Sequence, residues 1–270
     1  MFLLLRGESE QKNGAQTPAV WYTVGQKTEG RYACMAMELV WLGQGGFLIR
    51  CGGASICLDP YLSDSCERSG GHTRIAPAPL DPASIDADVF VINHDHMDHL
   101  DEGTLRKVDL SAHLFAAPAT CRKHLRALGV PEDRLLPFDR GDHFGIGDAE
   151  LYAVFADHTE DSIGLIVRAG GQTAYFTADT LYNPRLQAEA APFAPDILVP
   201  CINGRWGNMG AEEAAQLAKS LGVALAIPTH YGMFAENTAD PMDFVRAMGG
   251  KGCRILTQYE PTILNTKGNP

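Results

Sequence analysis

The sequence has no paired-cysteine motif, no long apolar run and no surplus of positive charge, and each absence removes a class of protein. Its seven cysteines (Cys34, Cys51, Cys57, Cys66, Cys121, Cys201 and Cys253) are odd in number and scattered, with no CxxC among them. Reduced thiols are therefore expected, not a disulfide framework, which points to the cytoplasm. The apolar opening MFLLL gives way at once to RGESEQKNG. It is shorter than the roughly 7–15 apolar residues of a secretory signal, and no run approaches the length of a membrane span. Lys and Arg number 22 against 33 Asp and Glu, a formal net charge of −11. Such a surface repels phosphate backbones and anionic bilayers, so neither nucleic acid nor membrane is an expected partner. A small anionic metabolite stays compatible, because a local cation can dominate a pocket. The sequence does not define the oligomeric state, and a homo-oligomer is allowed.

What remains is an ordinary globular composition, 45% hydrophobic and 20% charged over 270 residues. A chain of this size buries about 70–75% of its unfolded surface. Residues 1–36 are polar and without clear periodicity, and read as a flexible N-terminal extension that carries no chemistry. From residue 37 the text becomes regular, and 37–270 reads as one domain. ELVWLG, GFLIRC and ASICLD are short strands separated by glycine turns, with GQGG (43–46) as a hairpin turn. DVFVIN is a buried strand. ELYAVFA, IGLIVRA, TAYFTA, DILVPC, ALAIPT and CRILTQ follow as strands. Helices are expected at DEGTLRKV, PATCRKHLRALG, GAEEAAQLAKSLG and DPMDFVRAMG. Strand sets followed by helix–strand units imply mixed sheets covered by helices, in two halves that share no letter-level repeat.

Five of the nine histidines stand just beyond an apolar strand-like run. DVFVIN leads to His94, His96, Asp98 and His99; LYAVFAD to His158; TAYFTA to Asp179; ALAIPT to His230. If these strands share a sheet, their ends face one cleft. In extended chain His94 and His96 point the same way, while Asp98 and His99 come one turn later. Taken singly, His158 or His230 reads as a hydrogen-bonded core histidine and Asp179 as a turn residue. The H-x-H-x-D-H cluster reverses that balance, since desolvating so many ionisable groups without a cation is costly. Neutral imidazoles with carboxylates suit Zn²⁺, Mn²⁺ or Fe²⁺. One ion is expected on His94, His96 and His158 and a second on Asp98, His99 and His230, with Asp179 between them. Asp59, after SICL, reads as the carboxylate that orients a ligand histidine, or equally as a turn starter before Pro60. Asn203 and Arg205, in CINGRWGNMG, and Arg74, in RSGGHTRIAPAPL, are candidate substrate contacts.

Taken together, HDHMDH, His158, Asp179 and His230 match in order the metal motifs of the metallo-β-lactamase fold. WLGQGGFLI, CLDPYLS, INHDHMDHLD, FTADTLY and IPTHYGMFAENTADP further resemble the L-ascorbate-6-phosphate lactonase (UlaG-type) branch, over residues 38–260. The resemblance implies an α/β fold, an αββα four-layer sandwich of two mixed β-sheets, with His94, His96, Asp98, His99, His158, Asp179 and His230 as ligands of two divalent ions, Zn or Mn. It implies hydrolysis of a lactone or ester of a small polar metabolite, such as a phosphorylated sugar acid, with Asp98 orienting the attacking water. Two other readings stay open: a phosphodiesterase or nuclease-type hydrolase on the same centre, and a non-catalytic metal or ligand sensor.

Overall fold

The computed structural model describes residues 20–22 and 36–264. The remainder of the 1–36 arm, Cys34 included, lies outside the described residues. The chain runs through fourteen strands. The first seven are β1 (Val20–Tyr22), β2 (Met37–Gly43), β3 (Gly46–Cys51), β4 (Ala54–Leu58), β5 (Val89–Val91), β6 (Leu114–Ala117) and β7 (Leu135–Pro137). The second seven are β8 (His143–Ile146), β9 (Ala149–Phe155), β10 (Ile163–Ala169), β11 (Gln172–Phe176), β12 (Ile197–Val199), β13 (Leu225–Ala226) and β14 (Pro261–Leu264). Helices α1 (Ser65–Arg68), α2 (Glu102–Leu105), α3 (Ala119–Leu128), α4 (Pro184–Ala190), α5 (Ala211–Leu221) and α6 (Pro241–Met248) complete the αββα sandwich.

Two seven-stranded mixed sheets pack face to face, ordered β14-β2-β3-β4-β5-β6-β7 and β1-β8-β9-β10-β11-β12-β13. In each, a run of antiparallel strands passes to parallel ones, at β4–β5 in one and β11–β12 in the other. The two halves read from the sequence are thus a repeat of topology without a repeat of letters. Of the 1–36 arm, Val20–Tyr22 pairs in parallel with β8 at the outer edge of the second sheet.

The apolar runs are explained by burial on both faces. Along β5 and the residue after it, Val89 and Val91 join the core between the sheets, while Phe90 and Ile92 join a second cluster under the helices, with Leu105, Phe115 and Leu125. Side chains alternate with period 2, so a strand covered on both sides needs apolar residues at every position. Across the sheets Phe47 meets Phe176 edge-on at 5.4 Å.

Helices α3, α5 and α6 fall on their expected segments and end at left-handed Gly129, Gly222 and Gly249. DEGTLRKV is shorter than expected, helical only over Glu102–Leu105. CRILTQ is not a strand. It makes one isolated bridge, Ala226 to Cys253, and Arg254 and Ile255 face solvent. The ladder forms later, where Pro261–Leu264 pairs with β2 at the sheet edge and a proline at the first position costs nothing. Five described cysteines are buried, Cys253 is partly so, and all six are free thiols. Among the described residues no helix is long and apolar enough to cross a membrane.

One buried carboxylate holds the metal-motif loop in shape. Asp101 caps α2 at Gly103 N (3.0 Å) and also accepts from Ser63 N (3.0 Å), Ser63 Oγ (2.7 Å) and Thr104 Oγ1. It ties the segment after β4 to the helix that follows the histidine cluster. Asp101→Ala removes the cap and strands buried donors, so it is expected to cost about 3 kcal/mol. Chemical denaturation checks this, and a loss under about 1 kcal/mol would show the knot to be dispensable.

Candidate metal centre

The donors do not come from one sheet. The His94–His99 segment leaves β5 in the first sheet, whereas His158, Asp179 and His230 follow β9, β11 and β13 in the second. They meet because the face-to-face packing brings the strand ends of both sheets to a common seam. Four residues at these ends hold left-handed backbone without being glycine: Gln44 (φ +50°), Asp59 (+40°), Ala178 (+57°) and His230 (+62°). Each such residue costs on the order of 1 kcal/mol, which the surrounding packing must sustain. These turns swing the chain off its strand and aim the donors into the seam.

All seven sequence-predicted donors are brought together. Three triads have ligand atoms within 4.8 Å of one another: His94, His96 and His158; Asp98, His99 and His230; and, joining them, His94, His99 and Asp179. His94 lies at the centre, its ring 4.1 Å from that of His99 and 4.9 Å from that of His158. His158 Nε2 is 3.1 Å from His96 Nδ1, and His230 Nε2 is 3.0 Å from Asp179 Oδ1. His94, His99, Asp179 and His230 are buried, Asp98 is partly exposed and His96 borders the cleft.

The outer contacts orient the rings. Asp59 Oδ2 lies 2.7 Å from His99 Nδ1, and its Oδ1 accepts from Asn93 N at 2.8 Å. Asp59 therefore takes the His99 Nδ1–H and turns Nε2 to the centre, as carboxylates beside metal-ligating histidines do. His158 donates from Nδ1 to Gly207 O at 3.1 Å, which leaves its Nε2 as an acceptor. Asn208 Nδ2 donates to Asp179 Oδ2 at 2.8 Å. Gly45 is required by the close approach of the hairpin, since a Cβ there would stand 2.7 Å from His99 Cε1.

Gln44 is the residue that sequence reading missed. GQGG is the expected hairpin turn, but its glutamine side chain donates to Asp98 Oδ2 at 2.8 Å and its Nε2 lies 3.0 Å from His230 Nε2. Its carbonyl accepts from Trp41 Nε1 (3.0 Å), His230 N (3.2 Å) and Thr229 Oγ1. One signal was present: glutamine is an unusual choice where tight turns favour Gly, Asn or Asp.

The candidate substrate contacts lie elsewhere. Arg74 donates to the carbonyls of Ala76, Tyr61 and Ser63, and is not among the residues lining the cleft above the centre. Arg205 is exposed and bonds Glu236 O; Asn203 is buried and bonds Asn237 Oδ1 at 2.8 Å. Both shape their loop, whereas Asn208 and Asn237 line the cleft itself.

The donor set fits divalent cations. Both ring nitrogens of His94, Nε2 of His99 and Oδ1 of Asp179 are buried without a hydrogen-bond partner. His99 Nε2 and Asp179 Oδ1 are 3.2 Å apart, and such buried polar atoms clustered together are costly unless a cation or shared protons satisfy them. The electrostatics agree. Burial pulls His99 down, but Asp179, Asp59 and Asp98 together raise it well above its ordinary value. Burial also opposes charging His230, yet Asp179 and Asp98 carry it up to about 9. Burial pushes Asp98 and Asp179 up, and the imidazoles more than reverse this, leaving both carboxylates below their ordinary range. Burial holds His94 well below its ordinary value, neutral and ready to ligate. Without a metal, protons on His99 and His230 supply the positive charge that the carboxylates require.

A family model described as a beta-lactamase superfamily domain matches residues 55–231. A UPF0173 metal-dependent hydrolase from Sulfurisphaera tokodaii is 30% identical over 224 residues, 81% of this chain and 95% of its own. Among solved structures, Igni18, a metallo hydrolase from Ignicoccus hospitalis, superposes with a TM-score of 0.69 at 20% identity, covering 86% of this chain and 100% of that one. An isothiocyanate hydrolase from Delia radicum gut bacteria gives a TM-score of 0.71 at 18% identity, covering 86% and 100%. At such identities the structures show a shared fold.

Two expectations follow from the geometry. Asp59→Asn is expected to weaken metal binding about 10–100-fold, measured by competition with a chelating dye. At pH 7.5, loading the metal-free protein is expected to release about two protons per chain, from His99 and His230, because ligands must be deprotonated. Both groups titrate above their ordinary values when metal-free, His230 at about 9, so affinity rises with pH as each loses its proton. Titration in weakly buffered solution reads the release directly, and none would contradict the assignment.

Proposed function

This chain is a metal-dependent hydrolase of the metallo-β-lactamase superfamily, and from that premise we propose that it hydrolyses a lactone or related ester of a small molecule with two divalent ions, Zn or Mn. The observation that carries the reading is the convergence of seven donors from both sheets around buried atoms that lack partners. His94, His96 and His158 would hold one ion and Asp98, His99 and His230 the other, with Asp179 shared. Such ions, when bound, lower the pKa of water towards about 7 and polarise a carbonyl.

The chain's own groups supply the positioning. Asp98 Oδ2 is held by Gln44 Nε2 at 2.8 Å, while Oδ1 has no hydrogen-bond partner among the described residues. Asp98 lines the cleft and stays ionised, so Oδ1 can accept the hydrogen bond that orients an attacking water. As the water oxygen bonds the carbonyl carbon, Oδ1 takes that proton, and it passes the proton to the leaving oxygen as the ester C–O bond breaks. Asp59 and the Gly207 carbonyl keep the tautomers of His99 and His158 fixed throughout, so no ring has to reorganise. The formal charge of −11 favours a small molecule over nucleic acid as the occupant. The resemblance of segments such as IPTHYGMFAENTADP, around His230, to the lactonase branch supports an ester carbonyl over a phosphodiester.

Elemental analysis of the purified protein is expected to find about two equivalents of divalent metal. Chelation is expected to abolish hydrolysis of simple lactones, and Zn²⁺ or Mn²⁺ to restore it. Asp98→Asn is expected to lower kcat by about 10²–10⁴ with metal still bound. Faster turnover of bis-(p-nitrophenyl) phosphate than of any lactone or ester would replace this reading with the phosphodiesterase one, and metal-loaded protein inert to a broad ester panel would favour the sensor.

A further inference from the structure

The cleft above the centre has a volume of about 350 Å³, and its walls differ from those that a phosphorylated sugar acid requires. Away from the metal donors and Asp95 it is lined by Cys66, His72, Met97, Trp206, Phe234 and two amides, Asn208 and Asn237. No Lys or Arg is among the lining residues, and Asp95 adds a further negative charge. Of the nearby guanidiniums, Arg74 Nε and Nη1 bond the carbonyls of Ala76, Tyr61 and Ser63, and Arg205 Nη1 bonds Glu236 O. A phosphate or carboxylate taken out of water needs charge-assisted donors, and apart from the centre itself no lysine or arginine among the lining residues supplies one.

The apolar wall is built as a chain of rings. Trp206 leans on His72 at 4.6 Å with planes 31° apart; His72 meets Phe234 at 5.5 Å, and Phe234 meets Tyr61 at 5.4 Å. Tyr61 and Phe234 are buried and fix the inner end. The outer end is anomalous. Trp206 is 55% exposed, and its backbone is left-handed at φ +50°. A strained tryptophan half in water adds little to the core; strain and exposed apolar surface at a cleft mouth are features of contact sites. Met97, 45% exposed, extends the apolar surface. Asn208 Oδ1 is buried without a partner and gives the cleft one uncommitted acceptor.

We propose that Trp206, backed by His72 and Phe234, is a specificity-determining wall, and that the substrate is an uncharged ester or lactone bearing a flat apolar group that stacks on the indole. The proposal rests on the hydrolase reading and narrows it, setting aside the phosphorylated sugar acid. An aromatic face of this kind distinguishes substrates by stacking and by excluding charge that it cannot solvate.

The test compares phenyl acetate with 4-acetoxybenzenesulfonate on metal-loaded protein, with methyl acetate as the small neutral control. The neutral aryl ester is expected to have the higher kcat/KM, by about tenfold or more. Trp206→Ala is expected to raise KM for phenyl acetate about tenfold, at least threefold more than for methyl acetate, and Trp206→Phe to restore most of the loss. Equal or better turnover of the sulfonate, or an equal rise in both KM values, overturns the wall. Calorimetric binding of benzamide against 4-carbamoylbenzenesulfonate separates this from the catalytic reading. Benzamide binding at least tenfold tighter, and weakened in Trp206→Ala, upholds the wall even if no ester is cleaved. Equal binding of the two overturns it even if esters are cleaved.

Discussion

Seven ionisable side chains press into the seam between two sheets, and most of the site's local structure answers the cost of putting them there. Buried lone pairs on His94, His99 and Asp179 face one another without partners. Proton-mediated pairing relieves part of that cost, as the raised His99 and His230 show. A divalent cation relieves it far better, because one charge serves three or four donors at once. The centre is therefore costly when empty and favourable when filled, the usual coupling of metal binding to folding.

The same constraint explains features that otherwise look like defects. Left-handed Gln44, Asp59, Ala178 and His230 all sit where a strand must end abruptly and present a donor. The Gln44 carbonyl collects Trp41, Thr229 and His230, so the first sheet's hairpin and the segment after β13 are fastened together at the point where their donors meet. Asp101 does the equivalent on the other side of the histidine cluster. Strain at these turns is sustained by the rigid sandwich behind them.

Much of the fold and site was legible in the sequence, for reasons that individual residues make plain. DVFVIN reads as a strand covered on both faces because Val89, Phe90, Val91 and Ile92 leave no polar position. The HDHMDH cluster reads as a metal site because no packed core tolerates it otherwise. Other features left no local trace. CRILTQ has the composition of a strand, but the chain there crosses between sheets, and its neighbours are set by topology. Arg74 and Arg205 look like anion binders in any linear reading; only the folded loops show Arg74 Nε and Nη1 and Arg205 Nη1 bonded to backbone carbonyls, and neither residue lining the cleft.

The sequence by itself determined the types of the candidate donors, their order and the strand that precedes each, because side-chain chemistry and period-2 burial are local properties. Tertiary structure alone decided that the donors come from two sheets and not one, and that a turn glutamine braces Asp98. It also decided that the cleft wall is Trp206, His72 and Phe234 with no cation. Those facts depend on which distant segments become neighbours, and such proximity is a product of packing that no stretch of chain encodes alone.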